Sequence, residues 1–185
     1  MKPKALHADC EHCPLSAEPF VSGIGRDYAK YVFVGEAPGS TEVDNGVPFT
    51  GDSGRFLKRV LTPHGIDRNT DVFVTNTVLC RPPPKMNGRD SAPPDKAIKA
   101  CKDRLIHDIE AHNPNAVLAL GGTAAETLLD SEEGIRRLRG RCTQSPFFDA
   151  PVVATFHPAA REPNKLAVMI SDVGKLVGCR WAVER

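Results

Sequence analysis

Four short apolar runs, each followed by a helical or loop segment, constrain the fold of this 185-residue chain more than any other feature. The clearest run, residues 116–120, contains only alanine, valine and leucine, which is typical of a parallel strand buried on both faces. The other runs are residues 31–34, 72–75 and 152–156. This alternation predicts an α/β fold: one three-layer domain, residues 1–185, with a central four-stranded parallel sheet flanked by helices.

Apolar side chains between and after these runs recur at spacings of three and four residues, which predicts amphipathic helices. A first helix opens at Asp52 or Ser53 and ends by Gly65, a second follows Pro93–Pro94, and a short third runs through Leu129. The inward positions of the first helix are Phe56, Leu57, Val60 and Leu61, and those of the second are Ile98, Cys101, Leu105 and Ile109. A fourth helix closes the chain, and its inward positions are Leu166, Met169, Ile170, Val173 and Leu176 or Val177.

Composition and charge exclude some classes of protein. Lys and Arg total 24 against 23 Asp and Glu, so any attraction to nucleic acid must come from local patches. The start of the chain is charged, and no apolar run is long enough to span a bilayer, so we expect a cytoplasmic protein without a membrane partner. In a reducing compartment, six cysteines favour a metal centre or free thiols over a disulfide framework.

The first chemical motif is the C-x-x-C pair of Cys10 and Cys13. Two thiolates at this spacing can bind one metal ion or one edge of a metal cluster. A redox C-x-x-C is expected to follow a strand and open a helix, and no strand is predicted before Cys10. The pair therefore favours metal binding over thioredoxin-like chemistry.

Polar side chains follow three of the four predicted strands: Glu36, Asn76 and His157. The carboxyl ends of parallel strands lie along one edge of a sheet, so we expect these groups to share one crevice. The glycine turn at residues 121–123 is compatible with a phosphate site or with a tight strand-to-helix connection. The arginine-rich segment 136–141 is compatible with a solvated face or with phosphate contacts.

Four sequence blocks occur in order: Gly35-Glu36-Ala37-Pro38-Gly39, Gly46-Val47-Pro48-Phe49-Thr50-Gly51, Thr75-Asn76 followed by Cys80-Arg81-Pro82-Pro83, and His157-Pro158. Together they resemble the uracil-DNA glycosylase superfamily, most closely its family 4, the iron–sulfur enzymes of bacteria, archaea and some phages. The resemblance implies a monofunctional DNA N-glycosylase of base excision repair. Such an enzyme flips uracil out of DNA, hydrolyses its N-glycosidic bond, and leaves free uracil and an abasic site.

Residue roles follow from this chemistry and from the resemblance. Phe49 offers a stacking face for the flipped base, and Asn76 can both donate to and accept from the edge of uracil. The resemblance implies that His157 hydrogen-bonds uracil O2 as negative charge develops there. The resemblance places Ala37 and Gly39 in the pocket wall, with Ala37 where relatives outside family 4 carry an aspartate. Glu36 and Glu42 are then the candidate catalytic carboxylates, with Glu42 near the C5 side of the base.

The resemblance also implies a [4Fe–4S] cluster on Cys10, Cys13, Cys80 and Cys101. From spacing alone, zinc remains the alternative, because four thiolates also form a closed zinc site. The segment between Cys80 and Cys101 is longer than usual for the family, with the additional residues in the 85–92 loop. The two other cysteines, Cys142 and Cys179, are predicted to be ordinary free thiols.

Arg81 and Arg161 are the predicted DNA-binding residues of a monomeric enzyme. The segment after His157–Pro158 is about two residues shorter than in the family and lacks the bulky wedge residues found there. Either Arg161 replaces the wedge, or single-stranded DNA is preferred because extrusion from it costs little. We expect an unusually high ratio of single-strand to double-strand activity.

The sequence is also compatible with two functions of other classes. One is a uracil-DNA-binding protein with little turnover, and the other is a zinc-stabilised nucleic-acid module without activity. A known relative traps its product covalently through a basic, histidine-containing insertion. The corresponding segment 144–148 has no histidine and no basic residue, which disfavours that form.

Overall fold

The computed structural model describes residues 4–179. Its strands are β1 (Tyr31–Gly35), β2 (Val72–Asn76), β3 (Ala116–Leu120), β4 (Cys142–Gln144) and β5 (Pro151–Thr155). They form one sheet in the order β2-β1-β3-β5-β4. The first four strands in this order run parallel, which confirms the predicted four-stranded core. Residues 1–3 and 180–185 lie outside the described residues, and with them most of the charged amino-terminal start and both ends of the predicted domain.

The fifth strand, β4, is a correction to the predicted sheet. It pairs antiparallel with β5 and lies at the sheet edge. Its three residues are exposed or half-buried, so they form no apolar run. Only the tertiary pairing defines this strand, and the sequence pattern therefore could not reveal it.

The helices are α1 (Ser40–Asn45), α2 (Asp52–Leu61), α3 (Arg68–Asp71), α4 (Asp95–His112), α5 (Gly122–Leu129), α6 (Ile135–Leu138) and α7 (Lys165–Gly178), with a 3₁₀ turn at Thr62–His64. Helices α2, α4, α5 and α7 are the four predicted ones. Helices α1, α3 and α6 have six residues or fewer and are too short for a periodic pattern. In residues 4–179, no helix has both the length and the apolar composition needed to cross a membrane.

Two apolar layers enclose the sheet, one on each face. Residues of α2 and α7 pack with Phe33 and Leu118 on one face. Residues of α4 and α5 pack with Val32 and Val117 on the other. Neighbouring strand residues point to opposite faces, so a strand buried on both sides must be apolar throughout. The predicted three-layer arrangement is confirmed.

Cys142 and Cys179 form a disulfide, so the prediction of two free thiols is wrong. Their Cα atoms lie 5.9 Å apart, within the usual range for a disulfide. The pair joins the unpredicted edge strand β4 to the carboxyl end of α7, across 37 residues of sequence. Without β4 there was no reason to place Cys142 beside the end of α7.

Candidate active site

The carboxyl ends of the parallel strands meet at a small pocket. Gly35 and Asn76 are paired in register at the ends of β1 and β2, and His157 lies two residues beyond the end of β5. The pocket has a volume of about 120 Å³, enough for a single six-membered ring. It brings together six of the predicted residues: Ala37, Gly39, Glu42, Phe49, Asn76 and His157. Ser53, Asp90 and Ala159 complete its lining.

Phe49 is held in the pocket by an unusual backbone conformation. Its φ of 54° lies in the left-handed region, which is costly for a bulky residue and is found mostly where function requires it. A side chain at Gly54 would collide with the Phe49 carbonyl, so this glycine permits the conformation. The ring is only 5% exposed, and its centroid lies 6.1 Å from that of His157 at a tilt of 40°.

Asn76 is buried beneath the pocket, and the absence of a side chain at Gly35 makes room for it. A Cβ at position 35 would lie 2.6 Å from the Phe49 ring and closer still to Asn76 Oδ1. The chain beyond β2 remains fixed, because Thr77 donates to the Gly35 carbonyl from its backbone N–H at 2.8 Å and its hydroxyl at 2.9 Å. The Asn76 amide is thus supplied by rigid backbone.

Arg104 supports the same strand end from α4, and sequence reasoning missed it. Its side chain is 2% exposed. Its guanidinium donates to the carbonyls of Asn76 at 2.8 Å and Thr77 at 2.9 Å, and to the Thr75 hydroxyl at 3.1 Å. Asp108 pairs with the same group at 3.1 Å. Its sequence position could have indicated that Arg104 is buried, because it follows Cys101 by three residues and so lies on the inward face of a predicted helix.

His157 is half-buried and fixed in one tautomer. The backbone N–H of Ala159 donates to His157 Nδ1 at 3.2 Å, so the proton of the neutral imidazole is on Nε2. Burial lowers the pKa of His157 below its ordinary value, and the Lys165 ammonium lowers it further, against the charges of Glu36 and Glu42. A neutral ring at pH 7 therefore carries one donor, Nε2–H.

Two flanking elements shape the loop that carries His157. Gly121, at φ 104°, lies so close that an added Cβ would be 3.2 Å from His157 Cβ. The glycine turn at residues 121–123 therefore forms a tight connection beside the histidine. Phosphate binding by this turn, the other possibility, stays a prediction. Lys165 donates to the carbonyls of Pro158 and, at 2.7 Å, of Ala160. This lysine fixes the short segment after His157 and was not predicted.

The two candidate carboxylates have different positions. Glu42 lines the pocket and accepts hydrogen bonds from the backbone N–H groups of Gly39 at 3.2 Å and Gly51 at 3.0 Å. It therefore holds together the two loops that carry Ala37 and Phe49. Glu36 is absent from the pocket lining and accepts a hydrogen bond from the Thr123 hydroxyl. Its charge nevertheless acts on His157.

The predicted DNA-binding arginines lie outside the pocket lining. Arg81 is 21% exposed and forms an ion pair with Asp90 at 2.9 Å, whereas Arg161 is exposed. In the arginine-rich segment, Arg139 pairs with buried Asp172 at 2.6 Å and Arg136 pairs with Glu162 at 2.8 Å. These two arginines therefore join the region of α6 to α7 and to the loop that precedes α7. A phosphate-contacting role for the arginine-rich segment stays a prediction.

Larger clefts lie elsewhere on the described chain, and two of them have several times the volume of the small pocket. One, of about 670 Å³, shares Phe49 with the small pocket and is lined on its other side by Arg55, Lys58 and Arg68. The other, of about 450 Å³, lies along residues 144–150. Neither receives Asn76 or His157, so chemical groups rather than volume identify the small pocket as the candidate site.

The four predicted metal-ligating cysteines come from three segments that pack together. Cys13, Cys80 and Cys101 are each 8% exposed and belong to one small apolar cluster, and Cys10 is half-buried beside them. The amino-terminal segment is held there by bonds from Asp9 N–H to the Ala100 carbonyl and from Arg81 N–H to the Pro19 carbonyl, both 2.8 Å. All four thiols are free, unlike the disulfide pair.

Burial changes the acidity of these thiols. It raises the pKa of Cys80 to about 11 and also raises that of Cys13. Nearby thiols raise both further, which reflects their proximity. Within residues 4–179, no three His, Cys, Asp or Glu side chains form a group arranged to hold a single metal ion.

Comparison with known proteins identifies the family. The model of the uracil DNA glycosylase superfamily matches residues 22–172. The chain belongs to the uracil-DNA glycosylase superfamily. A type-4 uracil-DNA glycosylase of Archaeoglobus fulgidus is 38% identical over 159 residues, which cover 82% of this chain and 77% of the relative.

Two further relatives carry the same description. The type-4 uracil-DNA glycosylase of Thermotoga maritima is 38% identical and covers 90% of this chain and 86% of its own. The type-4 uracil-DNA glycosylase of Pyrobaculum aerophilum is 36% identical, and the alignment covers 94% of this chain and 90% of the relative. The superfamily match includes every pocket residue as well as Cys80 and Cys101, and it begins after Cys10 and Cys13. The candidate pocket therefore lies wholly within the matched region.

Proposed function

We propose that the whole chain acts as a monomeric, monofunctional uracil-DNA glycosylase that releases uracil from DNA and leaves an abasic site for base excision repair. The observation that carries this proposal is the convergence of a stacking ring, a buried amide and a neutral histidine in one small pocket. All three groups come from one chain. Three relatives that cover most of this chain are described as type-4 uracil-DNA glycosylases, which supports the proposal.

Recognition of the base rests on Phe49 and Asn76. The Phe49 ring stacks on the flipped base, an interaction that contributes about 1–3 kcal/mol per base in single-strand binding. The Asn76 amide donates to the O4 carbonyl of uracil and accepts from its N3–H. Cytosine presents the opposite pattern at these positions and leaves both buried groups unpaired, so it is rejected.

Bond cleavage rests on His157 and the two carboxylates. As the glycosidic bond breaks, the base gains negative charge and the sugar gains positive charge. His157 Nε2–H donates to the developing O2 anion, and its fixed tautomer means that no reorganisation is needed. Glu36 and Glu42 stabilise the cationic sugar and its attacking water through their charge, and Glu42 lies at the C5 side where thymine carries its methyl group.

The proposed role of His157 predicts an acid limb in the pH profile. Uracil release is expected to be constant at neutral pH and to fall tenfold per pH unit below the pKa of His157, which lies under the ordinary value of about 6.5. Protonation gives Nδ1 a hydrogen, so the Ala159 N–H loses its acceptor. Single-turnover rates from pH 4.5 to 8.5 measure this. A rate that rises on acidification would contradict the neutral-donor role.

Protein stability must be followed in the same pH range. The folded state holds His157 with a lowered pKa, so the unfolded state takes up the proton first as pH falls. The contribution of His157 to stability is therefore fully present above its pKa in the unfolded state. It is lost as the pH falls from that pKa to the lower pKa of the folded state. Thermal melting at each pH separates this loss from the loss of catalysis.

A single-uracil oligonucleotide tests the proposed function. Incubation with the protein followed by alkali should break the strand at uracil and leave matched cytosine and thymine oligonucleotides intact. A mobility shift without breakage would instead identify a uracil-DNA-binding protein. No shift and no breakage would exclude both functions.

We also propose that Cys10, Cys13, Cys80 and Cys101 hold a [4Fe–4S] cluster. Four free thiols gathered around one apolar cluster are the donor set that such a group requires. The cluster would tie the amino-terminal segment to α4 and to the chain after β2. Loading releases thiol protons because thiolates are the ligands, and burial raises the pKa of Cys80, one of these thiols, to about 11.

Metal analysis of purified protein tests this proposal. We expect about four irons per chain, a brown colour, and loss of both in Cys80→Ser. Cys142→Ser, outside the cluster, should keep the full iron content. Colourless protein with one zinc per chain would contradict the iron–sulfur assignment and favour the zinc alternative.

A further inference from the structure

A compact loop at residues 85–89 stands beside the pocket and has no role in the function proposed above. The Lys85 N–H donates to the Arg89 carbonyl and the Gly88 N–H to the Lys85 carbonyl, both at 2.8 Å. The Asn87 side chain accepts from the Arg89 N–H at 3.1 Å, and Gly88 takes a φ of 75°. These bonds give the loop a defined shape although it is solvent-exposed.

Met86 lies at the tip of this loop. Its side chain is fully exposed, at 109%, which exceeds every other large apolar side chain in residues 4–179. The next most exposed, Tyr28 at 82%, precedes β1 and so lies toward the opposite edge of the sheet from the pocket. A fully exposed methionine gains nothing from burial in the fold, so its side chain is free to contact another molecule.

The base of the loop is fixed to the pocket. Asp90 lines the pocket, and its Oδ2 lies 3.5 Å from the position that a Cβ of Gly39 would take. Arg81 holds Asp90 from the other side at 2.9 Å. Lys85 and Arg89 are exposed on either side of Met86, and neither forms an ion pair within the described chain. The tip is therefore cationic, apolar at its centre, and adjacent to the pocket mouth.

Duplex DNA presents a matching requirement. Removing a base from the stack costs a few kcal/mol per step, and proteins offset this by inserting an apolar side chain, methionine among them, into the gap. The apolar residues directly after His157 are Pro158, Ala159 and Ala160, and Lys165 fixes this segment through the carbonyls of Pro158 and Ala160. The segment therefore has no long apolar side chain that could reach into the base stack.

We infer that the 85–89 loop contacts duplex DNA beside the flipped nucleotide, with Met86 inserted into the base stack and Lys85 and Arg89 on the flanking phosphates. This inference rests on the proposed glycosylase function. An unbranched methionine side chain adapts to an irregular gap better than a branched one. The loop therefore partly compensates for the short segment after His157.

Rates on paired and unpaired substrates test this inference. Wild-type protein is expected to act faster on single-stranded uracil DNA than on a matched U·A duplex. Met86→Ala should lower the duplex rate by about tenfold, since unstacking costs a few kcal/mol, and leave the single-strand rate within about twofold. Met86→Leu, which keeps a large but branched apolar side chain, should retain most of the duplex rate, and Tyr28→Ala is the matched control for loss of an exposed side chain.

A fluorescent base next to the uracil reports unstacking directly. With 2-aminopurine at that position, wild-type protein should raise the emission of the duplex and Met86→Ala should not. Equal duplex rates and equal emission for the two proteins would overturn the inference. If wild-type protein releases no uracil even from single strands, the proposed function fails and this inference falls with it, so the two failures are distinguishable.

Discussion

Replacing His157 with alanine is expected to slow uracil release by about 10²–10³-fold, the loss typical of removing one donor to a developing anion. The Nε2–H of the neutral ring is the donor, since Nδ1 accepts from Ala159. The effect should appear in the rate of the chemical step rather than in DNA affinity. Single-turnover release from an oligonucleotide with one uracil measures it.

His112→Ala provides the matched control for this variant. His112 stacks on Phe73 and bonds to the Asp108 carbonyl at the end of α4, away from the strand ends that form the pocket. Its replacement should leave the rate within about threefold of wild type, after correction for any loss of fold measured by melting. A His157→Ala protein that is folded and equally fast would place the catalytic group elsewhere.

Replacing Asn76 with alanine is expected to lower uracil release by about 100-fold, because a bidentate amide–base pair contributes up to about 3 kcal/mol of discrimination. The variant should also lose its preference for uracil over cytosine in binding to single strands. Competition by cytosine- and uracil-containing oligonucleotides measures that preference alongside the release rate.

Asn69→Ala is the control for the asparagine variant. Asn69 is exposed on the short helix α3, and the pocket lining does not include it. Both variants should melt close to the wild-type temperature, since Arg104 holds the backbone at position 76 rather than the amide. An Asn76→Ala protein with unchanged discrimination would contradict the recognition mechanism.

The core of the fold could be predicted because burial on both faces requires apolar strands. Residues 116–120 show this directly, because every side chain of this run is buried in the central strand β3. The edge strand β4 could not be predicted, because its half-exposed residues have no pattern of their own. The disulfide between Cys142 and Cys179 depends on that strand and was missed with it.

The convergence of the candidate site residues could be predicted where a strand leads directly into a polar group. Asn76 and His157 follow this rule, and the family resemblance added Phe49, which lies on a loop with no periodic pattern. The supporting contacts of Arg104 and Lys165 were missed because they join elements that are distant in sequence. Such contacts exist only after the layers have packed.

The two carboxylates show how backbone contacts change a sequence interpretation. In sequence they are equivalent candidates six residues apart. In the structure, Glu42 binds two backbone N–H groups and lines the pocket, whereas Glu36 binds Thr123 and acts on His157 through its charge. The distance of each glutamate from the end of β1 in sequence therefore could not distinguish the contacts that the two carboxylates make.

The most direct measurement counts free uracil per protein molecule. With limiting wild-type protein and excess single-stranded DNA carrying one labelled uracil, we expect many uracils released per chain, each matched by one abasic site. The His157→Ala protein should release uracil at least about 100-fold more slowly under the same conditions. Release that stops at one uracil per chain, or a stable complex with no release, would contradict a glycosylase and identify a binding protein.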